Sequence, residues 1–157
     1  MLYTVAINIS TAINGLIMDT TTPTIFSTTY EQACSKCIDD LYHTAYITLV
    51  NADTAEKLVT EICVAGVYKY DNLEDEADIR YRLTSDLYHR LKRRLWFFTP
   101  NTDALPELLQ VFSKQERLIV AMWFSSGLSA ADSGRILGLS QDEYRKTISD
   151  IIRRVPL

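Results

Sequence analysis

The sequence predicts an all-α protein of two small helical modules joined by a short linker. Apolar residues recur at spacings of three and four through residues 28–98, as on the buried face of amphipathic helices. Residues 105–157 carry the pattern of a helix-turn-helix. Pro100 and Asn101 mark residues 99–104 as the linker between the two modules.

The first helix is predicted to follow an N-terminal extension. Residues 1–27 are rich in Thr, Ile and Ala and contain Pro23, and they fit either a β-hairpin or a loosely packed extension. Thr28 or Thr29 can cap a helix that runs to about Val50. The apolar residues that define its buried face are Cys34, Cys37, Ile38, Leu41, Ala45 and Leu49.

Two further helices are predicted before the linker. Residues 51–53 break the first helix, and the second has one apolar face, formed by Ala55, Leu58, Val59, Ile62 and Val67. Residues 71–78 (DNLEDEAD) are an acidic loop or a helix start. The third helix is predicted over Tyr81–Trp96, with leucines on one side and basic residues on the other.

Two glycines carry the helix-turn-helix prediction. Gly134 lies within a short helix and Gly138 follows at the turn, which allows two helices to cross closely and the backbone to reverse. Tyr144 then falls on the inner face of the next helix, whose outer face is left to enter a DNA groove. Ser140 is a natural N-cap. On this helix we expect base contacts from Gln141 and Arg145, phosphate contacts from Lys146 and Arg153, and Ser140 and Asp142 beside them.

The charge is divided unevenly along the chain. The net charge is −4, yet residues 79–94 contain six basic residues and one acidic residue. Local potential, more than net charge, governs an encounter with phosphate. Arg90, Lys92, Arg93 and Arg94 are therefore candidates for nucleic-acid contacts, and a solvated helix face is the alternative.

Other classes of protein are disfavoured. No nucleophile elbow or Gly-rich phosphate loop is present, so neither an enzyme nor a cofactor is expected. Cys34 and Cys37 form a CxxC without a second pair, which favours buried thiols over a metal site. No apolar run approaches the ~20 residues of a membrane span, and no basic segment precedes the first apolar stretch, so a cytoplasmic protein without a membrane partner is expected.

An aromatic run ends the third predicted helix. Trp96, Phe97 and Phe98 have the flat, polarisable rings that stack on unpaired bases in proteins that bind single strands. They also stand at the end of an apolar helix just before the linker, where aromatic side chains commonly fill the contact between modules. Packing between the two modules is the favoured interpretation.

Several short motifs lie in order along residues 105–154. They are Leu105-Pro106, Gln115, Arg117, Gly127-Leu128-Ser129, Leu137-Gly138-Leu139-Ser140 and Ile151-Ile152-Arg153-Arg154. This segment resembles region 4 of bacterial sigma factors, the promoter-recognition subunits of RNA polymerase. More faintly, the segments 41–46, 55–61, 81–86 and 91–94 resemble region 2 of the extracytoplasmic-function (group IV) class of these factors.

The resemblance implies partners and further site residues. The partners are promoter DNA and core RNA polymerase, with an anti-sigma protein as a further candidate. Residues 55–61 match the polymerase-binding helix, which assigns that role to Glu56, Lys57, Thr60 and Glu61. Residues 81–86 match the helix that opens the promoter, which adds Arg82 and Asp86 to the DNA-binding set.

The chain also departs from the family pattern. Residues of unusual charge or size stand at five positions: Lys57, Asp86, Ser133, Glu143 and Tyr144. The linker is also shorter than the tether that lets the two modules reach separate promoter elements. Three functions follow: a divergent sigma factor, a sigma-derived regulator that binds DNA on its own, or a sigma mimic that binds proteins without reading DNA.

Overall fold

The structure, a computed structural model, describes residues 28–97 and 106–155, and its regular elements are all helices. They are α1 (Thr28–Leu49), α2 (Ala52–Tyr70), α3 (Glu76–Phe97), α4 (Glu107–Gln110), α5 (Lys114–Ser125), α6 (Ala130–Leu137) and α7 (Gln141–Ile152). The all-α prediction is confirmed for this part of the chain. The predictions for residues 1–27 and for the linker at 99–104 lie outside the described residues. No described helix is long and apolar enough to cross a membrane.

Helix α1 is the central element, because α2, α3 and α5 all pack against it. The six apolar residues predicted to form its inner face are all buried. Thr44 and Thr48 are buried as well, and their hydroxyls donate to the backbone oxygens of Asp40 (2.9 Å) and Thr44 (2.7 Å). These bonds satisfy the two polar groups, so α1 is covered on several sides without leaving them unpaired.

The chain reverses between α1 and α2 within two residues. Val50 has a φ of 54°, a left-handed conformation that β-branched residues rarely adopt. Its side chain is buried, and the burial offsets part of the backbone strain. Asn51 caps α2, since its Oδ1 accepts a hydrogen bond of 2.8 Å from the backbone N–H of Thr54. The helix break therefore falls slightly earlier than the predicted residues 51–53.

The acidic segment 71–78 proves to be both a loop and a helix start. The backbone N–H of Ala77 donates to the carboxylate of Asp75 at 2.8 Å, and α3 begins at Glu76. The helix therefore starts five residues before the predicted Tyr81. Ile79, which lies in this added turn, is fully buried and anchors the start of α3 in the core.

The second half of the chain shares the core of the first half. Leu118 and Met122 of α5, with Ile136 of α6, belong to the same buried cluster as the apolar faces of α1, α2 and α3. A smaller cluster under α7 is formed by Phe112, Val120 and Ile151. The two modules predicted from the sequence are thus packed together over one continuous core in the described residues.

The favoured packing of the aromatic run between the modules is wrong for Trp96 and Phe97. Trp96 is 80% exposed and Phe97 is 94% exposed. Leu95 is the last residue of α3 whose side chain is buried. Phe98 lies outside the described residues.

Candidate nucleic-acid interface

Helices α6 and α7 form a helix-turn-helix with a turn at residues 138–140. Gly138 has a φ of 75°, the left-handed conformation that glycine adopts at little cost. The N–H of Leu139 donates to the carbonyl of Gly134 at 2.8 Å, and the N–H of Gly138 donates to that of Arg135 at 3.2 Å. This pair of bonds is a Schellman motif, which ends α6 sharply and sets the direction of the turn.

Gly134 lets the turn pass close to α6. A Cβ at this position would lie 2.9 Å from the carbonyl oxygen of Leu139 and 3.2 Å from that of Ser140. Both neighbours are backbone atoms, which move only if the turn itself shifts. The roles predicted for Gly134 and Gly138, close approach at the first and chain reversal at the second, are confirmed.

The inner face of α7 packs as the sequence predicts. Tyr144, Ile148 and Ile151 are buried, and burial raises the pKa of the Tyr144 phenol. The hydroxyl of Ser133 on α6 lies next to that phenol and is itself 1% exposed. Two of the unusual residues therefore compensate each other, because the small side chain of Ser133 leaves room for the large ring of Tyr144.

The N-terminus of α7 is closed by a capping box between Ser140 and Glu143. The Ser140 hydroxyl accepts from the Glu143 N–H at 3.3 Å, and the Glu143 carboxylate accepts from the Ser140 N–H at 2.8 Å. The same carboxylate accepts from the Ser140 hydroxyl at 2.7 Å. This hydroxyl, with the backbone N–H, lowers the pKa of Glu143. The sequence predicts Ser140 among the residues that contact DNA. In the structure its hydroxyl hydrogen already bonds to Glu143 within the cap.

The outer face of α7 carries the residues predicted to contact DNA. The side chains exposed there are Gln141, Asp142, Arg145 and Lys146. Within the described part of the chain, Arg145 and Lys146 form no hydrogen bond or ion pair, so both are available to a ligand. Arg153 is also exposed and lies 4.0 Å from the carboxylate of Asp150, a weak surface pair.

The basic residues predicted on α3 lie at its C-terminal end. Arg90, Arg93 and Arg94 line one groove together with Leu49 and Phe97. In the structure as described, neither Arg93 nor Arg94 takes part in an ion pair. The groove therefore presents two uncompensated guanidinium groups beside an exposed aromatic ring.

Of the four basic residues predicted at the C-terminal end of α3, Arg90 and Lys92 have partners within the protein. Arg90 Nη1 lies 3.0 Å from the carboxylate of Glu61 on α2. The Lys92 ammonium lies 5.7 Å from the centre of the Tyr88 ring. Both side chains remain within reach of solvent, but a nucleic acid would have to compete with these contacts.

Asp86 is partly buried and bonds to two residues of α2. Its Oδ2 lies 3.1 Å from Lys69 Nζ and accepts a 2.9 Å hydrogen bond from the Tyr70 hydroxyl. Burial, and then the bond to Asp86, raise the pKa of Tyr70 to about 12. The acid at this unusual position is therefore used to join α3 to α2, whereas Arg82 of the same predicted set is exposed.

The four residues predicted to bind polymerase lie together. Glu56, Lys57, Thr60 and Glu61 line a shallow depression on the surface of α2, beside Asp53. Carboxylates predominate in this depression. The exposed Lys57 introduces a positive charge among them.

The cysteines form a buried cluster. Cys34 and Cys37 are buried and unbonded to each other, which confirms the prediction of buried thiols. Cys63 of α2 is equally buried, and a hydrogen bond joins its thiol to that of Cys34. Among residues 28–97 and 106–155, no three His, Cys, Asp or Glu side chains are arranged to hold a metal ion.

No protein-family model, no curated protein and no solved structure gives a significant match to this chain.

Proposed function

We propose that the chain is a sigma-like transcription protein that binds duplex DNA through the outer face of α7. The observation that carries this proposal is the turn between α6 and α7. There Gly134 lets the backbone of the turn pass close to α6, Gly138 reverses the chain, and the buried Tyr144 anchors the inner face of α7 in the core. On the opposite face, Arg145 and Lys146 are exposed and form no ion pair with any residue that the structure describes.

This geometry suits the major groove. A groove of ~12 Å width admits one α-helix, and the first residues of that helix meet the base edges while nearby bases hold phosphates. Gln141 and Arg145 lie in the first two turns of α7, where side chains reach the bases. Lys146 adjoins them and suits a phosphate.

Docking on core RNA polymerase is a second candidate function. The observation that favours it is the clustering of Glu56, Lys57, Thr60 and Glu61 in one depression. A pull-down of the tagged chain with core polymerase subunits tests it directly. We expect charge reversal at Glu56 and Glu61 to abolish capture, and capture that survives both substitutions would rule out this surface.

The DNA proposal is tested by selecting duplexes from a random pool and measuring affinity for the preferred sequence. Arg145→Ala is expected to cost about 1–3 kcal/mol on that sequence and to relax the preference at one position. Lys146→Ala should weaken binding to all sequences equally and reduce the salt dependence by about one phosphate contact. Lys36→Ala on α1 removes an exposed base that pairs with Glu76 and lies outside the predicted DNA-binding set; it is the control and should change neither. Unchanged affinity in Arg145→Ala would remove α7 as the recognition helix.

Transcription by the chain with core polymerase separates the alternative functions. Asp86 is held by Lys69 and Tyr70, so it is not placed to grip an unpaired base. We therefore propose that the protein binds polymerase or duplex DNA more readily than it starts transcription alone. Robust run-off transcripts from a linear promoter would contradict this and favour an ordinary sigma factor.

A further inference from the structure

Two large aromatic side chains stand in solvent at the end of α3. Trp96 is 80% exposed and Phe97 is 94% exposed, whereas Leu95 before them is buried. Rings of this size forgo the free energy of burial when they stay in water, so an exposed pair indicates a binding surface. Of the two roles that the sequence offers for these rings, packing between the modules is excluded, and stacking on unpaired bases is the one that remains.

Each ring lies in a groove of its own, on one flank of α3. Phe97 lines a groove of about 560 Å³ with Arg93 and Arg94, on the flank that meets α1 and α2. Trp96 lines a groove of about 650 Å³ with Lys92, on the flank that meets α5. Both volumes fall in the range of small-ligand sites, about 300–1,000 Å³, so either groove has room for a base.

The exposed crest of α3 connects the two grooves. Successive residues of an α-helix are about 100° apart around its axis, so the side chain of Arg93 projects between those of Trp96 and Phe97. Arg93 is exposed and forms no ion pair with another described residue. A strand that crosses the crest therefore meets a ring, a guanidinium and a second ring in turn.

Positive charge surrounds both rings. Residues 87–97 of α3 include four Lys or Arg side chains and no acid, and no carboxylate of the described residues lines either groove. Glu61 on α2 pairs with Arg90 at 3.0 Å and leaves the other guanidinium groups free of it. The cores of protein–protein interfaces are poor in charged residues, whereas grooves for single strands combine cations with aromatic rings. The surface therefore suits a nucleic-acid strand better than a protein partner.

We infer that the C-terminal end of α3 is a binding site for single-stranded nucleic acid. Two bases of one strand stack on Trp96 and Phe97, and their phosphates lie on Arg93 and Arg94. The strand has to be unpaired, because the faces of paired bases are covered by their neighbours in the duplex. This site goes beyond the proposed function and does not depend on it, since the duplex there is bound by the outer face of α7.

The first test measures the affinity of the full chain for a labelled single-stranded DNA of about 12 nucleotides by fluorescence anisotropy. Trp96→Ala and Phe97→Ala are each expected to weaken binding on the order of tenfold, because each removes one stacked base. Tyr68→Ala is the matched control, since it removes a ring on α2 that is 70% exposed, and it should change nothing. Undiminished affinity in either α3 variant would show that charge alone attracts the strand and would overturn the inference.

The second test follows the affinity for the same strand against salt concentration. Each phosphate contact of a single strand contributes about 0.7 to the slope, so the double variant Arg93→Gln/Arg94→Gln should lower the slope by about 1.4. Lys36→Gln removes an exposed base of α1 that pairs with Glu76, and it should leave the slope as it is. An unchanged slope in the double variant would remove both guanidinium groups from the site and overturn the inference.

The third test locates the strand on the protein. In a Trp123→Phe background Trp96 is the one remaining tryptophan of the sequence, and a base stacked on its indole should quench its fluorescence. The same oligonucleotide annealed to its complement should quench less, and ATP at an equal concentration of nucleotide should not displace the strand. Equal quenching by the duplex, or displacement by ATP, would overturn the inference in favour of a duplex or a free nucleotide.

Two variants separate this site from the proposed function. Arg145→Ala on α7 should leave single-strand binding unchanged, and Trp96→Ala should leave the affinity for the selected duplex unchanged. Absence of duplex binding, with single-strand binding intact, would refute the proposed function alone. Absence of single-strand binding would overturn the inference alone, and capture of core polymerase that requires Trp96 and Phe97 would then assign the surface to a protein partner.

Discussion

Gly138 is the residue at which a single methyl group tests the turn most cleanly. Its φ of 75° is left-handed, and nothing lies within 4 Å of the position that a Cβ would occupy. The cost of Gly138→Ala is therefore a backbone cost alone. For an L-residue with a side chain this conformation costs about 1–2 kcal/mol. The lower entropy of the unfolded alanine chain returns about 0.4–1 kcal/mol, so we expect a net loss of about 1 kcal/mol.

Urea unfolding followed by circular dichroism measures this loss. The midpoint should fall while the slope with denaturant stays constant, because the surface exposed on unfolding is unchanged. Gly138→Asn should lose less than Gly138→Ala, since asparagine enters the left-handed region more readily than alanine does. Equal or greater stability of Gly138→Ala, or equal losses for both variants, would refute the backbone explanation.

Gly134→Ala provides a comparison, because the expected cost there comes from a steric clash and not from a strained backbone. Here the residue is helical, so alanine gains about 1 kcal/mol of helix propensity. Against this, its Cβ would press on the carbonyl of Leu139 at 2.9 Å, and overpacking of this kind costs about 1–3 kcal/mol. We expect Gly134→Ala to lose stability on balance and Gly134→Asn to lose more. At Gly138 the order is the reverse, because asparagine there loses less than alanine.

Three further outcomes follow from individual contacts. Gly66→Ala should cost about 1–2 kcal/mol because its Cβ would collide with the Tyr30 hydroxyl and with Leu83. In calorimetry the same substitution should cost less in a Tyr30→Phe background, where the hydroxyl and its hydrogen bond to the Cys63 carbonyl are already absent. Glu143→Gln keeps the capping box and removes a negative charge from the first turn of α7, so DNA affinity should rise at low salt while the unfolding midpoint hardly moves. Unchanged affinity would show that this charge lies away from DNA. The pKa of Glu116 is lowered by its bond to Arg154, so its contribution to stability is present above the unfolded pKa and is lost as the pH falls below about 4. Glu116→Gln should reduce the fall of the unfolding free energy at acid pH. The same fall in the variant and the unsubstituted protein would disprove the assignment.

The sequence predicts well those features whose causes are local. The spacing of apolar residues gives α1 from Thr28 to near Val50, and the structure ends this helix at Leu49. Similarly, the spacing of Gly134, Gly138 and Tyr144 predicts the close approach, the chain reversal and the buried face of α7. In each case the residues that determine the structure lie within one or two helical turns of one another, so their spacing is visible in the chain.

The features that the sequence does not reveal depend on distant partners. Arg117 is 2% exposed, and burial lowers the pKa of its guanidinium, although arginine is ordinarily a surface residue. The tie from Arg80 to Ser126 joins residues that are 46 positions apart. Trp96 and Phe97 are large apolar residues of the kind that fill a core, yet both lie at the surface. No local pattern distinguishes these cases, because the neighbour that buries or exposes each side chain comes from elsewhere in the chain.

The charges on α7 set a requirement that the proposed function has to meet. Arg145 and Lys146 form no ion pair within the described part of the chain, but the acids Asp142 and Glu143 on the first turn of the same helix lower its net positive charge, so its outer face has little net attraction for phosphate. Phosphate contacts supply most of the affinity in protein–DNA complexes. A helix of this kind can select a sequence yet binds weakly alone. Under the proposed function, tight binding therefore requires phosphate contacts from bases beyond the first turn of α7. Arg153 at the end of the helix is exposed and only weakly paired with Asp150, so Arg153→Ala should weaken binding to all sequences and reduce the salt dependence by about one phosphate contact.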